Sequence, residues 1–293
     1  MSESHSSSSY YLPDPSHWPI MGSIALFTTF VGAAILLNGS HFGTLLLGAG
    51  LTILVFMLYG WFGTVVRESV AGMYNKQVDV SFRWGMGWFI LSEVMFFAAF
   101  FGALFYARIY SVPWLGGVGS GFATKEFLWP DFVASWPLSV MPDPSNFHKY
   151  SEVIAAWGVP AINTLILLTS GVTVTFAHWA LKKNNRTGLC WWLFVTFALG
   201  FTFVGMQAHE YMHAYETLGL TLNSGIYGST FFMLTGFHGF HVTMGATMLV
   251  VIWLRAMNGH FSEHNHFAFE AVAWYWHFVD VVWLFLFVFV YWL

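Results

Sequence analysis

The chain has 293 residues, 57% of them hydrophobic and only 8% charged, against about 25% charged in an ordinary soluble domain. A formal net charge of -4 with ten Lys and Arg residues gives no nucleic-acid footprint. The single cysteine, Cys190, excludes an internal disulfide framework, a four-thiolate iron-sulfur centre and a paired-cysteine haem attachment within this chain.

The first 17 residues hold no Lys or Arg. Their serine run from Ser6 to Ser9 and their prolines predict a flexible polar tail over 1–18 and argue against a cleaved secretory signal. Residues 19–293 read as one membrane domain. Apolar runs of spanning length occupy about 19–38, 43–66, 84–108, 153–181, 187–209, 225–254 and 270–293. Between the third and fourth, the stretch over about 109–152 carries Pro113, Pro130, Pro137, Pro142, Pro144 and a glycine cluster from Gly116 to Gly121. It predicts one long irregular loop at the membrane surface. The expectation is an all-α integral membrane protein with seven transmembrane helices.

Basic residues set the orientation. With the N-terminus inside, Arg67, Lys76, Arg83, Lys182, Lys183, Arg186 and Arg255 fall on inner segments, while Arg108, Lys125 and Lys149 fall on the long outer loop. The positive-inside rule then favours N-in and, after an odd number of spans, C-out. Trp18, Trp61, Trp84, Trp191, Trp192 and Trp292 lie near span ends, where interfacial anchors belong.

Glu93 stands out inside the third span, about 15 Å from Arg83 along a helix and near mid-membrane. A carboxyl at that depth is costly to ionise, so it reads either as a functional group or as a neutral acid hydrogen-bonded to a neighbouring helix. His241 in the sixth span, about 21 Å from Arg255, is nearer that height than His238. In the last span His277 and Asp280 are three apart, with Glu270 seven residues before His277 on the same face. Such a stripe cannot face lipid comfortably and is expected to form an internally hydrogen-bonded pair.

Thirteen histidines raise a metal-site reading. His209 with His213 and His238 with His241 have helical spacing, and His260, His264 and His266 cluster before the last span. A di-iron centre needs several nitrogen ligands converging on each metal. The topology instead spreads these groups from the outer end to the inner side. The expectation is no metal, with the histidine pairs serving interhelical hydrogen bonds.

The run YGSTFFMLTGFHGFHVTMG over 227–245 and HFAFEAVAWYWHFVDVVWLFLF over 266–287 resemble subunit III of the cytochrome c oxidases of the haem-copper superfamily. Trp18-Pro19-Ile20, Arg67-Glu68-Ser69, the run RWGMGWFILSEVMFFAAFF over 83–101, and Gln207-Ala208-His209-Glu210-Tyr211 agree. Seven spans point to the cytochrome c branch, since subunit III of the related quinol oxidases generally has five. The resemblance implies helices 1–2 over about 19–66 splayed from a bundle of five over about 84–293, with phospholipid held in the cleft. It implies no haem or copper and no catalytic residue in this chain, with both metals in partner subunits I and II. It further implies support of proton uptake and of resistance to turnover inactivation. Glu93 matches the family's carbodiimide-reactive glutamate. Arg67, Glu68, Arg255 and His260 match positions near lipid headgroups. The stretch Val70-Ala71-Gly72-Met73-Tyr74-Asn75 lacks histidines that mitochondrial members carry there, and the long outer loop resembles bacterial ones. A bacterial inner membrane is therefore favoured over a mitochondrial one. A proton-coupled transporter using Glu93 and Asp280, and a di-iron membrane enzyme, are the rival readings.

Overall fold

The computed structural model describes residue 11, residues 14–143 and residues 145–293. Most of the tail expected over 1–18, including the serine run, lies outside the described residues, as does Pro144. Seven helices are long and apolar enough to cross a membrane, and no strand occurs among the described residues. They are α1 (Trp18–Leu37), α2 (Phe42–Val70), α3 (Lys76–Tyr106), α4 (Val159–Lys182), α5 (Arg186–His213), α6 (Gly225–Met257) and α7 (Phe267–Leu286).

Several boundaries differ from the apolar runs, each for a local reason. The third helix begins at Lys76 rather than 84. The Asn75 side chain accepts a hydrogen bond from the Val78 amide at 3.0 Å, which caps the helix start, and Arg83 pairs with Asp79 at 2.8 Å one turn apart. Hydropathy passes over this polar first stretch because capping needs no apolar residue. At its other end the helix continues through a π turn over Ala107–Ser111 and a last turn over Val112–Leu115. Pro113 sits at the start of that last turn, where a missing amide hydrogen is tolerated. The loop thus starts at Gly116, not 109. It ends at Gly158 rather than 152, because Pro160 opens α4 in its first turn.

The helix that was expected to stop at 209 also runs on, to His213 and then through a π turn over Ala214–Leu218. Gly219, at φ 69, ends it in the left-handed conformation that glycine adopts without strain.

The chain divides into two compact units, Met1–Trp84 and Gly85–Leu293, with the boundary inside α3. In the first unit α1 and α2 form an antiparallel hairpin closed by glycine. A β-carbon at Gly32 would overlap the Leu47 backbone, one at Gly43 the Leu36 backbone, and one at Gly50 the Thr29 backbone. Without a side chain at these three positions the two backbones can approach closely, which is how helices associate in lipid.

In the second unit α4 packs on α5, α5 on α6, α6 on α7, and α7 back on α4. Side-chain hydrogen bonds tie each seam. Thr173 bonds Thr196 at 2.8 Å, Tyr211 bonds Thr235 at 2.6 Å, and the Trp276 and Trp283 indoles donate to Ser170 and Thr164, each at 2.9 Å. The later part of α3 packs on α6 and α7 through aromatic edges, Phe96 on Phe237, Phe97 on Phe278 and Phe101 on Phe285. The 116–158 stretch is less irregular than its prolines suggest. It holds a short helix over Phe122–Phe127 and a small core of Phe132, Leu138 and Met141 with Val112. Its end is tied to the α5–α6 connection by His148 and Ser151 amides on the Asn223 and Leu218 carbonyls.

Candidate functional site

The intramembrane acid of α3 meets α6. Glu93 Oε2 lies 2.9 Å from His241 Nε2, and His241 Nδ1 lies 2.6 Å from the Phe237 carbonyl. A carbonyl can only accept, so Nδ1 carries a hydrogen. Two bare lone pairs would not face each other at 2.9 Å, and the Glu93–His241 contact therefore holds one proton, on the carboxyl or on the ring. Phe96 and Phe97 wall the imidazole at 5.9 and 5.0 Å between ring centres. His241, not His238, is the partner, in keeping with the height argument.

His238 serves a different seam. Fully buried, it donates from Nε2 to the Val279 carbonyl of α7 at 3.1 Å, between Phe203 and Trp283. This is the interhelical hydrogen bond expected of it. His209 and His213 are exposed.

The stripe on α7 divides instead of pairing. His277 Nδ1 and Asp280 Oδ2 are 3.9 Å apart, too far for a hydrogen bond, so the internally bonded pair expected there does not form. Three residues along a helix bring the two side chains near without aligning donor and acceptor. Asp280 turns toward α4, where Gly171 leaves room for its carboxyl, while His277 stays half exposed. Glu270 lies elsewhere, 3.6 Å from His178 of α4 and 3.3 Å from His266.

Two groupings escaped the sequence reading. Glu210, buried in α5, accepts from Gln207 at 3.0 Å and from the Tyr291 hydroxyl at 2.7 Å. The Gln-Ala-His-Glu-Tyr run sets Gln207 and Glu210 three positions apart on one helical face, and that spacing is the available signal. His178 has no helically spaced histidine or acid on its own helix to mark it; it lies within the last two turns of α4, near the level of Glu270 in the first turn of α7.

The headgroup candidates fall in different units. In the first, Arg67 donates to Thr64 at 2.9 Å and the Tyr74 hydroxyl donates to Glu68 at 2.7 Å. Burial first, and then this bond to a carboxylate, push the Tyr74 phenol well above its ordinary pKa. In the second unit the Arg255 guanidinium stacks over Phe261 at 4.7 Å, and its Nε is buried without a partner. Nδ1 of His260, five residues on, is also buried without one.

A family model described as cytochrome c oxidase subunit III matches residues 8–130 and 139–293. Cytochrome c oxidase subunit 3 of the horse, Equus caballus, is 40% identical over 290 residues, covering 98% of each chain. The Drosophila melanogaster protein of that name is 42% identical over 289 residues, again covering 98% of each. That of Arabidopsis thaliana is 41% identical over 285 residues, covering 97% of this chain and 96% of its own. A match of this extent, to a seven-helix chain with a glutamate–histidine pair in its membrane core, leaves one assignment: the chain belongs to the cytochrome c oxidase subunit III family.

Proposed function

We propose that the chain is the noncatalytic third subunit of a proton-pumping cytochrome c oxidase, seated beside subunits I and II and holding structural phospholipid. It is a multi-pass protein of a respiratory membrane, and family membership implies no redox cofactor of its own. Haem and copper belong to the partners. The long loop over 116–158 and the absence of histidines between Val70 and Asn75 support a bacterial inner membrane over a mitochondrial one. The bias of Lys and Arg supports a cytoplasmic amino terminus and a periplasmic carboxyl terminus.

The observation that carries the lipid role is the buried, unpartnered Nε of Arg255, with the unpartnered Nδ1 of His260 five residues on in the chain. Buried donors ordinarily find acceptors, and a phosphodiester at the inner end of α6 supplies them. Glu93 enters this reading as a structural acid that fixes α3 to α6, not as a transported-proton carrier.

Deletion of the gene tests the proposal. The remaining haem-bearing subunits should still assemble and reduce oxygen at first, then lose activity during turnover, and a tagged copy of this chain should copurify with them. Immediate and complete loss of oxygen reduction, with the haems in place, would contradict a noncatalytic role. So would failure of the tagged chain to copurify.

A further inference from the structure

Glu210 has neither a cation nor a full set of donors. It is 2% exposed near the end of α5, and its Oε1 takes both of its bonds, from Gln207 Nε2 at 3.0 Å and from the Tyr291 hydroxyl at 2.7 Å. Its Oε2 is buried without a partner, and so is Oε1 of Gln207, a residue 5% exposed. Two acceptors on bonded side chains thus face no donor. An ionised carboxylate in that state leaves one oxygen bare with no countercharge, which is costly in a buried site. No Lys, Arg or His acts on it. The titratable groups around it are phenols: Tyr291 after α7, Tyr211 of its own helix and Tyr227 of α6, with Tyr150 stacked on Tyr227. One proton on Oε2 removes the conflict, because a neutral acid donates as well as accepts. Gln207 already gives an amide hydrogen to Oε1, and a hydroxyl at Oε2 can return a bond to the amide oxygen. That closes the two-bond ring of an acid facing an amide.

We infer that Glu210 is held protonated by a reciprocal acid–amide pair with Gln207, and that this pair latches the π turn following α7 in a pH-dependent way. The turn runs over Phe287–Trp292. Its polar tie to the bundle is Tyr291, whose hydroxyl donates to Glu210 and accepts from Gln207 at 3.3 Å. Otherwise ring edges hold the turn, Tyr291 on Phe231 at 5.3 Å and on Trp283 at 5.8 Å, and Phe287 and Trp292 on the exposed Trp157. Moving the turn away uncovers the carboxyl to water, where a glutamic acid ionises above about pH 4.3. The closed form then holds a proton that the open form has released. By linkage, rising pH favours opening by about tenfold per unit over the range in which only the closed form is protonated. The latch is tightest in acid and loosens as the pH rises.

Hydrogen exchange of the 287–293 amides tests this in the full-length chain in lipid nanodiscs, from mildly acid to mildly alkaline pH and corrected for the intrinsic pH dependence of exchange. In the wild type, protection should fall by up to about tenfold per pH unit. Glu210→Gln cannot titrate, and its amide can repeat both bonds of the ring, so its protection should not change with pH. The infrared carbonyl band of protonated carboxyls should shrink by one group in that variant. Tyr291→Phe leaves the acid and the amide together and removes the tie, so it should keep the band while the 287–293 amides exchange faster. That variant serves if circular dichroism shows that Glu210→Gln does not fold. A carboxyl band unchanged by Glu210→Gln means an ionised Glu210 and overturns the pair. Protection independent of pH in the wild type overturns the latch, as does an equal pH slope in wild type and Glu210→Gln, or unaltered protection in Tyr291→Phe.

Discussion

At the scale of single residues, the Glu93–His241 bond shows what a polar group in lipid must secure. A partner at 2.9 Å replaces the water that the membrane withholds. Glu93→Gln keeps the size of the side chain and offers an amide donor to His241 Nε2, so the complex should assemble with a stability change below about 1 kcal/mol and pump protons at the wild-type stoichiometry. Glu93→Leu removes the hydrogen-bond partner, strands the His241 nitrogen and should cost about 1–3 kcal/mol, read as a lower thermal midpoint of the purified complex. A pumping ratio that collapses in the Gln variant while assembly stays intact would revive a proton-carrying role for the carboxyl.

Among the helices, packing is decided by where glycine permits a large neighbour. In α5, a β-carbon at Gly200 would lie 2.6 Å from the buried Trp276 ring, whereas one at Gly205 meets nothing within 4 Å. Gly200→Ala should therefore destabilise the second unit by about 1–3 kcal/mol through overpacking. Gly205→Ala, on the same helix, should be neutral or stabilise by up to about 1 kcal/mol through helix propensity. Thermal unfolding of the two variants side by side checks the contrast, and equal effects would refute the packing argument. The same contrast explains what the sequence could tell. Seven spans are legible because about 20 apolar residues in a row have few other readings. The height of His241 against Glu93 follows from a fixed rise per residue. Rotation about the helix axis is not legible, because it depends on which faces of neighbouring helices fit together. For that reason His277 and Asp280 appear paired by spacing yet stand 3.9 Å apart, while His178 and Glu270, 92 positions apart in sequence, come together. The polar start of α3 was hidden for another reason, since the Asn75 cap and the Asp79–Arg83 pair carry no hydropathy signal.

For the whole molecule, a subunit without a redox centre can act on the rest of an oxidase complex only through contacts and, on the function proposed above, through the lipid it holds. Arg67 lies in the last turn of α2 and Arg255 in the last turn of α6, turns that the proposed orientation assigns to the cytoplasmic side. A guanidinium there can hold a phosphate through two parallel hydrogen bonds, which a lysine ammonium cannot reproduce. Arg67 has Thr64 as a neighbour but keeps further donors, and Arg255 keeps a buried Nε without a partner. Replacing both by Ala should therefore lower the tightly bound phospholipid of the complex, seen by native mass spectrometry, and shorten its working lifetime during turnover. The initial rate of oxygen reduction should change little, because no electron-transfer centre is touched. Replacing both by Lys should restore charge but not the bidentate geometry, and lipid retention should fall between wild type and the Ala variant. Unchanged lipid content in the Ala double variant would count against headgroup binding at these arginines. A loss of initial rate equal to the loss of lifetime would place them in the catalytic cycle instead of in its protection.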